Sequence, residues 1–183
     1  MENSKTIRNL KDAFKGETTA SAKYAAYSKK AKEDGYKNIA VLFEAASHSE
    51  KIHAKNHKNA LQQLGEKAED FKPEFEVKST KENLQDAING ETYEITNMYP
   101  DFISAAKDDR VTIAIITFNH AYKTEMKHKV LYETVLASLN AGKEAQLPSE
   151  YRVCPVCGNT YENEVSDKCG ICGEPADSFI VFK

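Results

Sequence analysis

Two kinds of short sequence, each present twice, combine side chains that bind metal ions. Each Glu-x-x-His is preceded by a Gly-Glu-Thr, whose glutamate stands 33 or 34 residues upstream. Residues three apart share one face of a helix, so each Glu-x-x-His presents a carboxylate and an imidazole together. Glutamates from two helices plus Glu-x-x-His from two others predict a two-metal site in a four-helix bundle. The predicted ligands are Glu17, Glu50, His53, Glu91, Glu125 and His128.

The two halves of this repeat differ one turn beyond the upstream glutamate, where Ala20 corresponds to Glu94. Glu94 would add a fifth carboxylate, which leaves one net negative charge beside two divalent cations. Two trivalent cations with one bridging oxide leave the same charge, so such a site can change its oxidation state. Carboxylates and imidazoles in this mixture favour iron or manganese over a structural zinc ion.

Two tyrosines stand close to the predicted ligands along their helices. Tyr24 lies two turns after the first upstream glutamate, and Tyr99 lies near the same height on the third helix. Both are candidates to donate hydrogen bonds to ligand carboxylates, and the alternative is that both are core aromatics. His48, His57 and His120 fall outside the repeat and are predicted to be surface or packing residues.

The second strong motif is a pair of Cys-x-x-Cys-Gly knuckles in the tail, separated by eleven residues. Four thiolates so spaced predict a tetrahedral metal site. Zinc is the usual metal for such a pair alone, whereas iron is the better candidate beside a redox-active bundle. The predicted ligands are Cys154, Cys157, Cys169 and Cys172. The aromatic residues expected to form a miniature core around them are Tyr151, Tyr161, Phe179 and Phe182.

Apolar residues that recur at spacings of three and four predict four helices that position the bundle ligands. The first covers 4–33, the second ends at Gly65, and 66–78 form a long crossover without helical period. A capping box at 79–82 then starts the third helix. Short, long and short connections predict an all-α ferritin-like four-helix bundle with a small C-terminal domain. The predicted units are the bundle at 1–142, a linker at 143–150 and the metal-binding tail at 151–183.

Pro100 interrupts the pattern of the third helix. A proline inside a helix removes a hydrogen bond and clashes with the preceding turn, so we expect a kink or break just past the metal-binding turn. Two interpretations stay open at this point. The proline either ends the helix or bends it and opens space beside the metal ions.

Composition excludes several other classes of protein. The chain has 183 residues, of which 29% are charged, and a formal net charge of -3. No basic run indicates a nucleic-acid surface or a membrane surface. The amino terminus lacks the apolar segment of a signal peptide, and no apolar run is long enough to span a bilayer. We therefore expect a cytoplasmic protein with no nucleic-acid partner and no membrane association.

The bundle motifs, the extra glutamate of the third helix and the cysteine knuckles together resemble the rubrerythrin family along nearly the whole chain. The resemblance implies a ferritin-like domain with a non-haem diiron centre, followed by a rubredoxin-like domain with one iron bound by four cysteines. Every ligand of the family pattern has a matching residue here, including Glu94. The one departure is Gly170, where rubredoxin-like knuckles often carry proline, and the glycine is expected to loosen that turn.

The resemblance also implies an activity, the reduction of hydrogen peroxide to water. In the family one iron is thought to exchange a glutamate for a histidine between redox states, which would make Glu94 and His53 the moving ligands. The tail iron would return electrons singly. The chain contains no Gly-x-Gly-x-x-Gly, so an external rubredoxin or NAD(P)H-dependent reductase is the expected donor. Glu125 lies roughly 22 Å from the end of its helix, so docking of a neighbour's tail beside the bundle is the simpler arrangement. The resemblance implies that the assembly is a head-to-tail dimer, and we expect at least a homodimer.

Two other functions fit parts of the same pattern. A ferroxidase or iron-storage protein would use the bundle but would not require the cysteine tail or Glu94. A non-catalytic adaptor would combine a zinc ribbon with a helical interaction surface, and it would be colourless.

Overall fold

Helices build the larger part of the chain in a computed structural model, which describes residues 4–183. The α-helices are α1 (Lys5–Glu33), α2 (Lys37–Gln63), α3 (Thr80–Tyr93), α4 (Tyr99–Asp108) and α5 (Thr112–Asn140). α3 and α4 follow each other along one arm, so the bundle has four arms joined by a short, a long and a short connection. α1 packs along α2, while α3 and α4 pack on α5. The predicted ferritin-like four-helix bundle is confirmed.

Two aspartates tie the short connections to helix starts in the opposite hairpin. Asp34, after α1, accepts hydrogen bonds from the N–H and the hydroxyl of Thr80 at 3.2 and 2.8 Å. Asp109, before α5, accepts the same pair from Thr6 at 3.1 and 2.7 Å. These bonds satisfy N–H groups that a helix leaves unpaired at its start. The internal repeat of the ligands therefore extends to the ends of the helices.

The third arm changes its pitch at a π-helical segment, Glu94–Met98. The N–H of Tyr99 bonds the carbonyl of Glu94, five residues back rather than the four of an α-helix. Pro100 follows in the first turn of α4, where its missing N–H breaks no bond of that helix. The arm therefore continues past the proline instead of ending there, and the change in pitch falls at Glu94 itself.

The buried apolar residues of the bundle form two clusters, one beyond each end of the predicted ligands. The Leu10 cluster contains Leu10, Leu61, Tyr99 and Phe118, and the Tyr24 cluster contains Tyr24, Phe43, Leu84 and Tyr132. Along α1 and α5 the predicted ligands lie between residues of the two clusters. Packed side chains on both sides therefore separate the ligands from water.

The tail folds as a small antiparallel sheet around the cysteines. Its strands, in the order β2-β1-β3, are β1 (Tyr151–Val153), β2 (Thr160–Glu162) and β3 (Ile180–Phe182). Phe179 and Tyr161 pack beside the cysteines as expected. Tyr151 and Phe182 do not, because β1 and β3 lie against α2 and these two rings join the Tyr24 cluster instead. The tail is therefore docked on the bundle.

Candidate metal centres

The six predicted bundle ligands meet in the interior as two overlapping groups of four. Within each group, ligand-type atoms of all four side chains lie within 4.8 Å of one another. Two glutamates belong to both groups, as bridging carboxylates between two metal ions would. The groups are Glu17, Glu50, His53 and Glu125, and Glu50, Glu91, Glu125 and His128.

The two shared carboxylates divide their oxygens between the two imidazoles. Nδ1 of His53 lies 2.9 Å from one oxygen of Glu50 and 2.8 Å from one of Glu125. Nδ1 of His128 lies 3.1 and 2.9 Å from the other oxygen of each carboxylate. All these atoms are buried, and within residues 4–183 none of them has a hydrogen-bond partner outside this cluster. Buried polar atoms without partners are rare and costly, so the arrangement fits donors that surround two cations.

Burial and mutual charge shift the pKa values of this cluster. Burial, and then Glu125, raise the pKa of Glu17 to about 7. Burial also acts to raise the pKa of Glu125, but His53 and His128 outweigh it and lower that pKa to about 2. For the two imidazoles burial acts to lower the pKa, and the carboxylates outweigh it and raise both values well above the usual range. Four carboxyl groups face two imidazoles in this cluster, and cations would neutralise the negative charge that the carboxyl groups gain when they ionise.

A tyrosine from the opposite half supports each upstream glutamate. The hydroxyl of Tyr24 on α1 donates to Glu91 at 2.8 Å. The hydroxyl of Tyr99 on α4 donates to Glu17. Both rings are buried. Donors of this kind fix the orientation of carboxylates that bind metal ions.

Glu94 joins neither group of four in the described part of the chain. Its partly buried side chain starts the π-helical segment. Desolvation, and then the carboxylates of Glu17 and Glu91, raise the pKa of Glu94 well above its usual range. A carboxyl group that keeps its proton beside a metal-binding cluster is a candidate proton donor.

The four cysteines of the tail are free thiols gathered at one point. Sγ of Cys154 lies 3.5 Å from that of Cys172, and Sγ of Cys157 lies 3.5 Å from that of Cys169. Tetrahedral coordination with metal–sulfur bonds near 2.3 Å separates sulfurs by roughly 3.8 Å. The cysteine sulfurs are therefore spaced for one tetrahedral metal ion.

Gly170, the departure from the family pattern, fixes its turn rather than loosening it. Its N–H donates to the hydroxyl of Tyr161 at 2.8 Å, a bond that proline could not make. The same hydroxyl accepts from the Asn159 amide at 2.7 Å and lies 4.0 Å from the sulfur of Cys169. Tyr161 therefore braces the second knuckle, and the expectation of a loosened turn was wrong.

The first knuckle rests on α2 through three successive carbonyl groups. The contacts are Asn56 to Val156 at 2.8 Å, His53 to Cys157 at 3.0 Å and Ser49 to Gly158 at 2.7 Å. A carbonyl only accepts, so Nε2 of His53 carries a proton in this contact and Nδ1 faces the carboxylates. A Cβ added at Gly158 would lie 2.5 Å from Nε2 of His53 and 2.7 Å from Oγ of Ser49. Only glycine permits this approach.

The second imidazole also contacts the tail. Nε2 of His128 lies 2.8 Å from the hydroxyl oxygen of Thr160, whose proton goes to the carbonyl of Gly158. Nε2 of His128 is therefore the donor, and its Nδ1 also faces the carboxylates. The tail thus contacts Nε2 of both imidazoles, while Nδ1 of each imidazole faces the carboxylates.

These contacts come from the chain's own tail, whereas the sequence led us to expect the tail of a neighbour. After α5 the linker turns back, and the side chain of Asn38 on α2 donates to the carbonyl of Leu147 at 2.8 Å. The distance from Glu125 to the end of its helix was the reason for that expectation. Because the linker returns along the bundle, that distance does not require a second chain.

His57, which the sequence grouped with the surface or packing residues, has polar partners in addition to its packing contacts. It is fully buried, with Nε2 3.2 Å from the Tyr99 hydroxyl and Nδ1 3.1 Å from the Thr117 hydroxyl. Burial, and then His53, lower its pKa to about 3, so the ring is neutral.

A signal for this position exists in the repeat. His57 stands seven residues after Glu50, just as Tyr132 stands seven after Glu125, so both lie two turns beyond a ligand. The tail-binding residues carried no such signal. Ser49 and Asn56 are ordinary polar residues of a helix until the docked tail gives them partners.

Comparison with known proteins decides the family. A family model described as Rubrerythrin matches residues 8–136. The chain belongs to the rubrerythrin family. Rubrerythrin-2 of Clostridium acetobutylicum is 36% identical over 183 residues, which cover 100% of this chain and 99% of that relative. Nigerythrin of Nitratidesulfovibrio vulgaris is 35% identical over 180 residues, which cover 97% of this chain and 86% of that relative.

Solved structures give the same assignment to the rubrerythrin family. Fully reduced, all-ferrous nigerythrin matches with a TM-score of 0.85 at 35% identity, covering 98% of this chain and 87% of that one. Bacterioferritin BfrA of Mycobacterium tuberculosis matches with a TM-score of 0.72 at 19% identity, covering 79% and 94%. The second likeness shows the ferritin-like fold alone.

The donor groups fit the iron centres of the rubrerythrin family. The buried oxygens and imidazole nitrogens without partners fit a non-haem diiron centre. The four free thiols fit a rubredoxin-like mononuclear iron, and the same geometry would accept zinc. Within 4–183, none of the helices combines the length and the apolar character needed to cross a membrane.

Proposed function

We propose that the protein is a hydrogen peroxide reductase, in which the bundle site reduces peroxide and the tail site resupplies electrons. Reduction of one peroxide to two waters takes two electrons and two protons. Iron held by the bundle residues would supply the electron pair, and iron held by the four cysteines would replace those electrons one at a time. The proposed bundle ligands are Glu17, Glu50, His53, Glu91, Glu125 and His128, and the proposed tail ligands are the four cysteines. Glu94, which lies outside both groups of four, is the proposed exchangeable ligand.

The observation that carries this proposal is the position of His53 between the two centres. Its Nδ1 faces the shared carboxylates, and its Nε2 donates to the carbonyl of Cys157, whose sulfur belongs to the tail group. One imidazole and one cysteine therefore separate the two centres. Electron transfer weakens steeply with distance, so this short bonded route favours a relay over two independent sites.

Residues around the bundle site are placed to manage protons and water. Glu94 keeps a proton beside the ligand cluster and is the proposed donor to the departing oxygen. Tyr24 and Tyr99 hold Glu91 and Glu17 in place for binding. The Leu10 and Tyr24 clusters exclude water, which limits loss of electrons to solvent reactions.

The proposal also includes an external electron donor and a homodimeric state. The sequence has no Gly-x-Gly-x-x-Gly for a dinucleotide, so a rubredoxin or an NAD(P)H-dependent reductase must reduce the tail. Exposed Ile116, Met126 and Val130 lie toward one side of α5 and support association of two copies. In a head-to-tail homodimer, exchange of tails would reproduce the contacts with α2 between copies. Sedimentation analysis tests this, and a monomer with full turnover would contradict the dimer.

The activity is tested by reducing the iron-loaded protein without oxygen and adding substoichiometric peroxide. The absorption between thiolate and iron in the tail should return rapidly, and faster than after an equal addition of oxygen. Faster return with oxygen, together with iron uptake beyond the site stoichiometry, would replace the proposal with ferroxidase or storage activity. A colourless tail that holds zinc would replace it with the adaptor function.

A further inference from the structure

A chain of four buried side chains ends at the ligand-type residue Glu17. The hydroxyl of Thr117 lies 3.1 Å from Nδ1 of His57, and Nε2 of His57 lies 3.2 Å from the hydroxyl of Tyr99. Tyr99 in turn donates to Glu17. These four residues come from four different helices, and each is at most 5% exposed.

The chemistry of the last acceptor sets the direction of every bond in the chain. Tyr99 donates its single hydroxyl proton to Glu17, and the carboxylate form of Glu17 that would bind a metal ion can only accept. The Tyr99 oxygen must then accept from His57, which requires the proton of the neutral ring on Nε2. Nδ1 is left as an acceptor, so Thr117 donates to it. Only one tautomer of His57 satisfies all three bonds.

We propose that His57 is a positioning residue that locks the donor hydroxyl of Tyr99 onto Glu17 and so pre-forms the first group of four for its metal ion. The inference rests on the proposed metal-binding function but concerns metal loading rather than peroxide. A hydroxyl that also accepts a hydrogen bond is fixed in orientation, and bonded chains strengthen each member. Glu17 is thereby held where the cation must bind.

The other half of the bundle lacks this device, which makes it an internal control. Tyr24 donates to Glu91 as Tyr99 does to Glu17. The position equivalent to His57 is Tyr132, two turns beyond Glu125. Its hydroxyl has no hydrogen-bond partner within the described residues. Metal binding to the first group of four should therefore depend on His57, and metal binding to the second group should not depend on Tyr132.

The tautomer is tested in the metal-free protein by nuclear magnetic resonance of ¹⁵N-labelled histidine. The His57 ring, assigned by its loss in His57→Gln, should show a slowly exchanging proton on Nε2 and an unprotonated Nδ1. Tyr99→Phe should speed exchange of that proton. A proton on Nδ1, or exchange as fast as that of an exposed histidine, would overturn the proposal.

The positioning role is tested by Co²⁺ titration followed by visible absorption. His57→Phe keeps a buried ring but removes both bonds, and should weaken one of the two Co²⁺ sites about 10- to 100-fold. His57→Gln retains an amide donor and should recover part of that affinity. Tyr132→Phe should leave both affinities unchanged.

Equal weakening by His57→Phe and Tyr132→Phe would reduce His57 to a packing residue and overturn the proposal. Loss of both sites with preserved helical content would do the same. Neither readout uses peroxide or the tail. Absence of peroxidase activity would therefore contradict the proposed function while leaving this inference standing.

Discussion

The two halves of the bundle present the same ligands in different surroundings. Each half gives one upstream glutamate, one Glu-x-x-His and one tyrosine that crosses to the other half. The imidazoles differ in what holds them, since His53 donates to a carbonyl of a tail ligand and His128 to the hydroxyl of Thr160. The arms differ as well, because only the third contains a π-helical segment, and Glu94 starts it.

This comparison distinguishes the residues that bind the metal ions from the residues that bring electrons and protons to them. A repeated set of donors is sufficient to hold two cations, and the repeat is nearly symmetrical. Separate routes for electrons and protons require residues that differ between the two halves. Electrons should enter through His53, which is bonded to the tail ligand Cys157, and protons through Glu94, whose pKa burial raises well above its usual range.

Removal of the one additional carboxylate should have the largest effect on turnover. We expect Glu94→Ala and Glu94→Gln each to slow peroxide turnover about 10²- to 10⁴-fold, the usual contribution of a positioned acid. Both should leave the tail absorption intact. Asn97→Ala, at an exposed position of the same π-helical segment, is the control and should retain the rate. Unchanged turnover in Glu94→Gln would remove Glu94 from proton transfer.

The crowded carboxyl groups that both halves contribute to the ligand cluster should make the metal-free protein less stable as pH rises. The folded pKa of Glu17, about 7, lies above its ordinary 4.5, so the folded state holds this proton more tightly. Its stabilisation is complete below about pH 4.5 and is lost as pH rises to about 7, a change of up to about 3 kcal/mol. The raised pKa values of Glu91, His53 and His128 act in the same direction, whereas the lowered pKa of His57 acts in the opposite direction up to about pH 6.5 and offsets part of the change. Urea unfolding at pH 5 and pH 8 measures this.

Metal ions should reverse that dependence, because deprotonated donors bind them and binding stabilises the folded state. Stability of the metal-free protein that rises between pH 5 and pH 8 would show that the cluster is not crowded by negative charge.

The contact between the first knuckle and α2 is tested at Gly158 and Gly173, the glycines that follow the second cysteine of each knuckle. Gly158→Ala should weaken tail docking about 10- to 100-fold, since overpacking typically costs about 1–3 kcal/mol. Gly173 has nearly the same φ, +82° against +81°, but no atom within 4 Å of an added Cβ. Gly173→Ala therefore carries the backbone strain without the clash. Amide hydrogen exchange over 151–162 should accelerate only in the first variant, and equal acceleration in both would remove the role of the contact.

The smallest difference is expected between the two crossing tyrosines. Tyr24→Phe should lower the free energy of unfolding of the metal-free protein by about 1 kcal/mol, the value of one hydrogen bond. Tyr99→Phe also leaves Nε2–H of His57 buried without an acceptor, so its effect should reach about 1–3 kcal/mol. Denaturant unfolding at one pH compares them, and equal losses would contradict the ordered chain through His57.

Much of this arrangement was predictable because it repeats. Helical periodicity, the doubled Glu-x-x-His and the paired cysteine knuckles specify the bundle and both sets of donor groups. The extra glutamate was visible as a break in the repeat at Ala20 and Glu94. The capping box at the start of α3 was equally legible, because it uses residues only three apart.

The parts that escaped prediction depend on contacts between distant residues. The π-helical segment lies before the proline, whereas the proline alone suggested a kink or break just past the metal-binding turn. Docking of the tail depends on the return of the linker and on the small volume of Gly158. The polar contacts of His57 escaped prediction because its one sign in the sequence, the seven-residue spacing after Glu50, does not reveal the hydroxyl groups that meet it.

The central claim is that electrons pass between the centres through the contact of His53 with Cys157, and stopped-flow mixing tests it most directly. Reduced, iron-loaded parent protein, Gly158→Ala and Gly173→Ala are each mixed with substoichiometric peroxide while bundle and tail absorption are followed together. The account predicts equal bundle oxidation in all three, with tail oxidation fast in the parent and Gly173→Ala and at least about tenfold slower in Gly158→Ala. Tail oxidation at one rate in all three proteins would contradict it.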